Sequence, residues 1–419
     1  MTEKTSKISG FYKLPVNERI NKISDFAGLS EEDKKTFSET LKLDIADRMI
    51  ENVLGIFELP LGIAVNFKIN GKDVLIPMAT EESSVVAAAS NAAKIARTKG
   101  GFTAKVSEPL MIGQLQLLKV KDVAGASQEI LKNKDKLLKI ANEQDKILVK
   151  FGGGAKDLEV RILDSPIGKM IITHLIVDVR DAMGANAVNT MCEAVAPILE
   201  ELTGGYIRLK ILSNLADKRI AHAKAVFDKE KIGGEKVVDA FLESYTLASI
   251  DPYRAATHNK GIMNGIDSLI IATGNDFRAI ESGAHAYAAR NGTYTSLTKY
   301  YKDDDGNLVG EIELPVAVGI IGGAGNIHPK AKLCKKILGI KTAEQLSEIV
   351  ASLGLAQNFA AVYALSTVGI QKGHMKLHAK NIAVMAGATG ELIEKIADQM
   401  IKEEKIKLDR AKEIFEELS

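Results

Sequence analysis

Residues 170–205 read MIITHLIVDVRDAMGANAVNTMCEAVAPILEELTGG, and this stretch contains the clearest secondary-structure pattern of the chain. Met170–Val179 is an apolar run of strand length, and Ala185–Leu202 carries apolar residues at helical spacing. Gly204-Gly205 follows the second run at the position where helices end. The small, polar segment DAMGAN lies between the two runs. The pattern predicts a buried strand, a tight turn and a long helix that packs back on the sheet.

Segments with strand or helix periodicity also precede and follow this unit in the sequence. Leu110–Val120 alternates like a strand, Ser127–Ala141 has helical periodicity, and Leu158–Leu163 precedes a turn at residues 164–168. Tyr206–Leu212 reads as a closing strand. In order these are strand, helix, strand, strand, helix and strand, the split arrangement of ferredoxin-like folds. We therefore predict a ferredoxin-like βαββαβ module over residues 110–214, inserted into a larger mixed domain.

The flanking segments combine helices with a smaller number of strands. Leu43–Leu54 has apolar residues at helical spacing before Pro60, and Asn70-Gly71 predicts a hairpin between two strand-like runs. Ser83–Arg97 is rich in alanine and predicts a helix with a serine cap. The tail beyond residue 370 is helical and charged. The predicted fold class is α/β, in the broader sense α+β.

Composition excludes several classes of protein. The 419 residues suggest two to three domains, and 55 basic against 54 acidic side chains give a net charge of +1. Attachment to nucleic acid or to an anionic membrane through the overall field is therefore not expected. Cys192 and Cys334 cannot form a disulfide framework or a four-thiolate zinc site. With no long apolar run and no apolar leader seen in the sequence, we expect a cytoplasmic protein.

The short catalytic motifs GxGxxG, GxxxxGK[ST] and HExxH are absent, so candidate residues come from polar turns. Glu81-Glu82 precedes a helix, where an acid acts as a general acid or simply complements the helix dipole. In DPYRAATHNKG, residues 251–261, Arg254 suits a carboxylate and a buried Lys260 suits a developing alkoxide. The alternative there is a solvated loop. Asp276, after glycine, is equally typical of a catalytic position and of a turn.

Two further groups point to cofactor chemistry. His374 and His378 share a helix face, which allows either a zinc pair or a single histidine that delivers a proton. The segment Asp181–Asn186 opens a helix with small residues, where free amides favour a pyrophosphate. Glycines 319, 322, 323 and 325 offer a second close-approach loop. Together these loops permit a dinucleotide site without Rossmann geometry.

Longer stretches carry a family resemblance. They are IENVLG at 50–55, EESSVVAAAS at 81–90, DVRDAMGANAVNTM at 178–191, ILSN at 211–214, DPYRAATHNKGIMNGID at 251–267, ATGNDFRAIESGAHAYA at 272–288 and GIQKGHMKLHAKNIA at 369–383. In these stretches, over essentially its whole length, the chain resembles the class II, bacterial and archaeal type, 3-hydroxy-3-methylglutaryl-CoA (HMG-CoA) reductases.

The resemblance implies a division of labour. Residues 1–109 and 215–370 would bind the acyl-CoA and dimerise, residues 110–214 would bind the nicotinamide cofactor, and residues 371–419 would form a flap. Glu51–Gly55 matches the dimer motif of the family, whose active sites lie at a subunit interface, so a homodimer or a larger homo-oligomer is implied. The implied reaction is the four-electron interconversion of HMG-CoA with mevalonate and CoA.

The resemblance also assigns roles to residues. Lys260 would stabilise the oxyanion, Asp276 would hold Lys260, Glu82 would deliver a proton, and His374 would protonate the CoA thiolate. Substrate contacts fall on Ser84, Arg254, Thr257 and Asn264, with Asn214 beside the lysine. Cofactor contacts fall on Asp181, Met183, Gly184, Asn186, Gly322 and Gly323. No metal is implied.

Asp145 falls where an NADH-using relative carries a ribose-binding aspartate, which favours NADH, because a carboxylate accepts from a 2′-hydroxyl and repels a 2′-phosphate. Lys146 and Lys150 leave NADPH as the alternative. A different class remains open, a non-redox protein that binds or hydrolyses CoA thioesters through Glu82 and His374. A metal hydrolase with an ion at His374 and His378 is a third possibility.

Overall fold

A computed structural model describes residues 4–367 and 370–418, with the backbone alone described at Ala324 and over residues 370–377. The α-helices are α1 Val16–Ala27, α2 Glu31–Thr36, α3 Leu43–Ala46, α4 Val85–Ala96, α5 Val123–Lys132, α6 Lys134–Asn142, α7 Lys146–Lys150, α8 Ala185–Thr203, α9 Lys229–Ile232, α10 Glu235–Ile250, α11 Pro252–Ala272, α12 Phe277–Ala288, α13 Pro329–Leu338, α14 Ala343–Ser366, α15 Ile370–Met385, α16 Glu391–Lys402 and α17 Leu408–Leu418. The strands are β1 Leu61–Ile69, β2 Lys72–Ala79, β3 Phe102–Val106, β4 Leu110–Leu118, β5 Gly154–Leu163, β6 Met170–Asp178, β7 Tyr206–Leu212, β8 Ile220–Phe227, β9 Thr298–Lys302 and β10 Leu308–Pro315.

A four-stranded antiparallel sheet has the order β5-β6-β4-β7. With α5, α6 and α8 as its helices, this is the split arrangement of ferredoxin-like folds. Helix α8 lies so close to β4 that a Cβ on Gly113 would overlap the Sγ of Cys192. The predicted α/β fold class is confirmed, whereas the division of the chain into domains at 109/110, 214/215 and 370/371 stays a prediction.

A six-stranded sheet has the order β2-β1-β3-β8-β10-β9. Three of its strands precede the four-stranded sheet in the sequence and three follow it. Its β1–β2 hairpin turns at Asn70-Gly71, where both residues have positive φ (48° and 78°), so that this predicted hairpin is confirmed. Helices α4, α11 and α14 pack on this sheet and on one another. Among the described residues α14 is the one helix long and apolar enough to cross a membrane by composition, yet 67% of its most apolar window is buried in the protein.

The helix predicted over Leu43–Leu54 is wrong beyond its first turn, because α3 ends at Ala46. Ile50 and Phe57 are exposed and Leu54 is fully so. A short helix gains most of its stability by packing an apolar face. In the described part of the chain, Ile50 and Leu54 of that face stay exposed to solvent.

Helices α15, α16 and α17 form a hydrophobic core of their own, which includes Ile396, Met400 and Ile414. This cluster is separate from the main core that the two sheets share. The predicted helical character of the tail is therefore confirmed for the described residues.

Helices α11 and α12 carry two of the predicted catalytic residues and are joined by the tight turn at Gly274. Asp267 on α11 lies against Glu281 on α12, and its Oδ1 accepts no hydrogen bond among the described residues. Burial and the neighbouring carboxyl of Glu281 raise the pKa of Asp267 well above its ordinary value. Asp267 therefore keeps its proton to a higher pH in the folded protein than in the unfolded chain.

This pair predicts a pH-dependent stability. A raised folded-state pKa contributes stability that is full below the ordinary carboxyl pKa and is lost as the pH rises toward the raised value. Asp267→Asn keeps an uncharged side chain, so we expect it to unfold with a free energy about 1–2 kcal/mol higher than that of the native chain near pH 8, and with little difference near pH 4. Urea unfolding at the two pH values measures this.

Asp304→Asn, at an exposed turn, is the matched control and should leave the pH dependence unchanged. Equal pH slopes for Asp267→Asn and the native chain would show that the Asp267 carboxyl is not protonated in the folded state.

Candidate active site

A cavity of about 640 Å³ lies between α4, α11 and α14, and we call it the Lys260 cavity. The structure brings six of the sequence-predicted residues to its wall: Glu82, Ser84, Arg254, Thr257, Lys260 and Asn264. Alanines 87, 88, 360 and 361, with Val362 and Leu365, supply apolar wall. The cavity thus joins a polar, charged region to an apolar one, as expected for a site that takes a charged acyl chain.

Helix α11 presents its polar residues because its start is well defined. Asp251 is the N-cap, its Oδ2 accepts from the backbone N–H of Arg254 at 3.0 Å, and Pro252 occupies the first turn. Arg254, Thr257 and Asn264 then follow at intervals of three and seven, which places them on one face of the helix. The segment is therefore the first turns of a helix and not the solvated loop of the alternative interpretation.

Lys260 and Glu82 meet across this cavity, with Lys260 Nζ 3.0 Å from Glu82 Oε2. The expectation of a buried ammonium is wrong for the described part of the single chain, because 63% of the Lys260 side chain is exposed there. An ion pair this exposed contributes at most about 1 kcal/mol to stability. The geometry thus holds an ammonium group and a carboxyl group side by side at the cavity.

Arg254 and Ser84 are polar groups left available to a ligand. The half-buried Arg254 guanidinium makes no hydrogen bond among the described residues, and burial lowers its pKa. Ser84 has a left-handed backbone (φ 73°) and does not cap α4 with its side chain. Strain of this kind in a non-glycine residue concentrates at functional sites. Both groups can therefore receive the carboxylate and oxygens of an anionic acyl chain.

His258 also lines this cavity and was not singled out from the sequence, although it lies inside the quoted DPYRAATHNKG segment. Its Nε2 is 2.7 Å from the hydroxyl of Thr298, and burial lowers its pKa to about 3. His258 is therefore neutral at physiological pH and cannot donate the proton that a charged histidine would.

A second cavity of about 460 Å³, here called the Asp276 cavity, lies at the far end of α11. It brings together Asp276, Met183, Gly322 and Gly323, which sequence reasoning had assigned to catalysis and to the cofactor. Asp276 is the N-cap of α12, accepting from Arg278 N–H at 3.0 Å and Ala279 N–H at 3.2 Å. Its carboxylate also pairs with the Arg278 guanidinium at 3.2 Å.

The glycine loop of this cavity is held on two sides. Gly319 N–H donates to Asn275 Oδ1 at 2.8 Å, and Ile320 N–H donates to the carbonyl of Asp181 at 2.9 Å. A Cβ on Gly319 would lie 2.6 Å from the backbone nitrogen of Met183, so the close approach requires glycine. The loop therefore joins the DAMGAN segment to the residue that precedes Asp276.

Arg219 holds the DAMGAN segment and the glycine loop together, a role that is not predicted from the sequence. Its side chain is 5% exposed, and its Nη1 and Nη2 donate to the carbonyls of Ala182 and Val318 at 3.0 and 2.6 Å. Burial lowers the pKa of Arg219 to about 10, which leaves it charged at neutral pH. Nothing in the sequence distinguishes it from a surface arginine, because its carbonyl partners are remote in the chain.

The remaining cofactor candidates lie around this junction. The Asp181 carboxylate accepts from Ala343 N–H at 2.7 Å and so caps α14. Gly184 begins α8 with a left-handed backbone (φ 107°), and Asn186 is exposed in the first turn of α8. Asp145 caps α7, accepting from Leu148 N–H at 2.8 Å. The loop after α7 reaches the same region, since Gly152 accepts from the Arg180 guanidinium at 2.6 Å.

Several predicted neighbours are not brought together within one chain. At about 1.5 Å per residue, Lys260 lies about 18 Å along α11 from Ala272, so Asp276 is in a different cavity and cannot hold Lys260. The predicted contact, in a family whose active sites lie at a subunit interface, is not made within one chain because helix α11 separates the two residues. Asn214 likewise does not line the Lys260 cavity; its carbonyl packs against Gly283 of α12.

The histidine predictions fall at the edge of what is described. His374 lies within α15, but its side chain is outside the described residues. His378 is exposed. Among the side chains described, no group of three His, Cys, Asp or Glu could hold a metal ion.

Comparison with known proteins gives one consistent family. The family model described as hydroxymethylglutaryl-coenzyme A reductase matches residues 15–379. The chain is 60% identical over 415 residues to the 3-hydroxy-3-methylglutaryl-coenzyme A reductase of Archaeoglobus fulgidus, covering 99% of this chain and 95% of that protein. It is 37% identical to the probable reductase of Borreliella burgdorferi, covering 90% and 88%.

Solved structures show the same likeness. The 3-hydroxy-3-methylglutaryl-coenzyme A reductase of Streptococcus pneumoniae superposes with a TM-score of 0.85 at 40% identity, covering 98% of this chain and 99% of that one. A structure of the class II reductase from the same organism, bound to NADPH in open conformations, gives a TM-score of 0.82 at 41% identity, covering 97% and 100%.

Proposed function

Because this chain belongs to the hydroxymethylglutaryl-coenzyme A reductase family, in its bacterial and archaeal class II, we propose that it interconverts HMG-CoA with mevalonate and CoA. The chain is an oxidoreductase. In the reductive direction the thioester, two reduced nicotinamide cofactors and two protons give the alcohol, the free thiol and two oxidised cofactors. The observation that carries the proposal is the Lys260 cavity, which is lined by an ammonium group, a carboxyl group and a guanidinium that makes no hydrogen bond among the described residues.

The residues of the Lys260 cavity suit the acyl chemistry. Arg254 is placed to bind the free carboxylate of the acyl chain, and Ser84, Thr257 and Asn264 to bind its oxygens. Lys260 holds a positive charge where the carbonyl oxygen becomes negative. Glu82, 3.0 Å from Lys260, delivers a proton to that oxygen, and His374 would give a proton to the departing thiolate.

The residues of the Asp276 cavity fit a nicotinamide cofactor, which supplies hydride when it is bound. Gly322 and Gly323 have left-handed backbones, with open space where a Cβ would stand, so that a ligand can approach the backbone. Met183, two residues before α8, lies at the same wall. Asp181, Gly184 and Asn186 would complete the set of cofactor contacts, with the Asp181 carboxylate also held by the Ala343 N–H at the start of α14.

We place the complete active site between two copies of the chain. Within one copy Asp276 and Lys260 lie at opposite ends of α11, whereas the family resemblance implies that Asp276 holds Lys260. A second copy can bring its own Asp276, with Asn214 nearby, to the exposed Lys260–Glu82 pair. The exposed apolar side chains of Leu54, within the Glu51–Gly55 dimer motif, and of Phe57, just after it, form the surface that such a dimer would cover.

Complementation tests this arrangement. We expect Lys260→Ala and Asp276→Asn each to lower kcat by about a thousandfold, because each removes charge stabilisation from the transition state. Co-expressed, the two variants should recover about a quarter of the native activity, since half of the dimers are mixed and each mixed dimer has one intact site. Initial rates of cofactor oxidation at 340 nm measure this.

The matched control is the mixture of Lys260→Ala with Glu82→Gln, which should recover nothing, because both residues belong to the same cavity. Recovery in neither mixture, with dimers present by sedimentation, would place the whole site within one copy. Thiol release by the native chain without loss of 340 nm absorbance would instead favour the non-redox thioester hydrolase.

We further propose that NADH is preferred over NADPH through Asp145. Asp145 is partly exposed at the start of α7, and the α7 loop contacts Arg180 beside the cofactor segment. Its Oδ1 caps Leu148, which leaves Oδ2 available for a ribose hydroxyl. A negative charge here opposes a 2′-phosphate, while Lys146 and Lys150 on the same helix would favour one.

Asp145→Asn separates charge from capping, because asparagine is an equally good N-cap. We expect the ratio of kcat/KM for NADH to that for NADPH to fall about tenfold, with an unchanged melting temperature. Glu143→Gln, an exposed neighbour with the same change of charge, is the control. An unchanged ratio in Asp145→Asn would move the cofactor selectivity to other residues.

Two parts of the proposal concern the rest of the chain. Residues 371–419 act as a flap that carries His374 to the thiolate, and their separate hydrophobic core suits a unit that moves as one body. We also propose a cytoplasmic enzyme, in line with the balanced charge of the chain and the burial of α14.

A further inference from the structure

Lys335 on α13 lines the Asp276 cavity together with Met183, Gly322 and Gly323. Its Nζ donates to the carbonyl of Ile320 at 3.3 Å and to Asn326 Oδ1 at 2.5 Å, so that it spans the two ends of the glycine loop. An ammonium group has three N–H donors. The third has no partner in the described part of the chain.

The described side chains of this cavity carry more positive than negative charge. Arg278 and Asp276 are paired at 3.2 Å and largely cancel each other. Lys335 has no acidic partner among the described residues, and partial burial lowers its pKa. An unpaired, partly desolvated cation beside exposed glycines is an arrangement that binds phosphate groups.

Given the proposed function, on which this inference rests, we propose that Lys335 binds the pyrophosphate of the nicotinamide cofactor. The pyrophosphate is common to NADH and NADPH, lies between the two nucleosides and carries the charge that the cavity lacks. Lys335 then has two tasks, since it holds the glycine loop through Ile320 and Asn326 and supplies a cation to the ligand that the loop approaches.

Titration calorimetry with NADH, NADPH and ADP-ribose tests this independently of turnover, because ADP-ribose has the pyrophosphate but no nicotinamide. We expect Lys335→Gln to raise the Kd of all three ligands about tenfold and to leave the Kd of CoA unchanged. Lys335→Arg keeps the charge and should stay close to the native values. Lys332→Gln, an exposed lysine on the same helix, is the matched control.

Salt separates charge from loop structure. If Lys335 acts through its charge, the difference in Kd between Lys335→Gln and the native chain shrinks as NaCl is raised, because salt screens the attraction. A difference that does not depend on salt would assign Lys335 to the loop alone and overturn the proposal. The proposal would also be overturned by an unchanged Kd for ADP-ribose, by a raised Kd for NADPH alone, or by a raised Kd for CoA.

The outcome is distinguishable from failure of the proposed function. Tight ADP-ribose binding by the native chain that is lost in Lys335→Gln supports the inference even if no HMG-CoA is reduced. Conversely, normal reduction of HMG-CoA by Lys335→Gln, with unchanged cofactor Kd, leaves the proposed function intact and removes Lys335 from it.

Discussion

The guanidinium of Arg219 lies between segments that belong to two different sheets. It donates to the carbonyl of Ala182, which follows strand β6 of the four-stranded sheet, and to that of Val318, which follows β10 of the six-stranded sheet. A cation this deeply buried is tolerated only with good partners, so the two segments are held in one relative position. The Asp276 cavity exists because these segments meet, and the hydrogen bonds from Ile320 and Gly319 depend on the same junction.

Helix α11 imposes the second constraint, because it is rigid and separates the chemistry into two places. Its first turns carry Arg254 and Lys260, and its last residue leads into Asp276. No rearrangement of side chains can bring Lys260 to Asp276 across that length. The Lys260–Glu82 pair is also exposed to solvent in the single chain, although an active site of the proposed kind excludes water. The proposed symmetric association of two copies would account for both features with one interface.

Local patterns in the sequence predicted local structure well. Asn70-Gly71 specifies its turn through backbone conformation alone, and α8 follows from its own periodicity and closing glycines, so neither needs information from the rest of the chain. The wall of the Lys260 cavity was predictable for a similar reason, because Arg254, Thr257 and Lys260 follow one helix. Arg219, Asn275 and Lys335 were not predictable, since each acts on backbone groups far away in the sequence. The helix predicted over Leu43–Leu54 is wrong beyond Ala46. Periodicity predicts a helix there but does not show whether the fold provides a surface for it to pack on.

The C-terminal helices bury Ile396, Met400 and Ile414 against one another and not against the body of the protein. The free energy of displacing a group of helices scales with the apolar area that is newly exposed to water. Here most of that area stays enclosed among α15, α16 and α17. Repositioning the group therefore takes little energy compared with unfolding it. We expect this small bundle to unfold separately from the main core, so that heating would remove the proposed flap while the two sheets stayed folded.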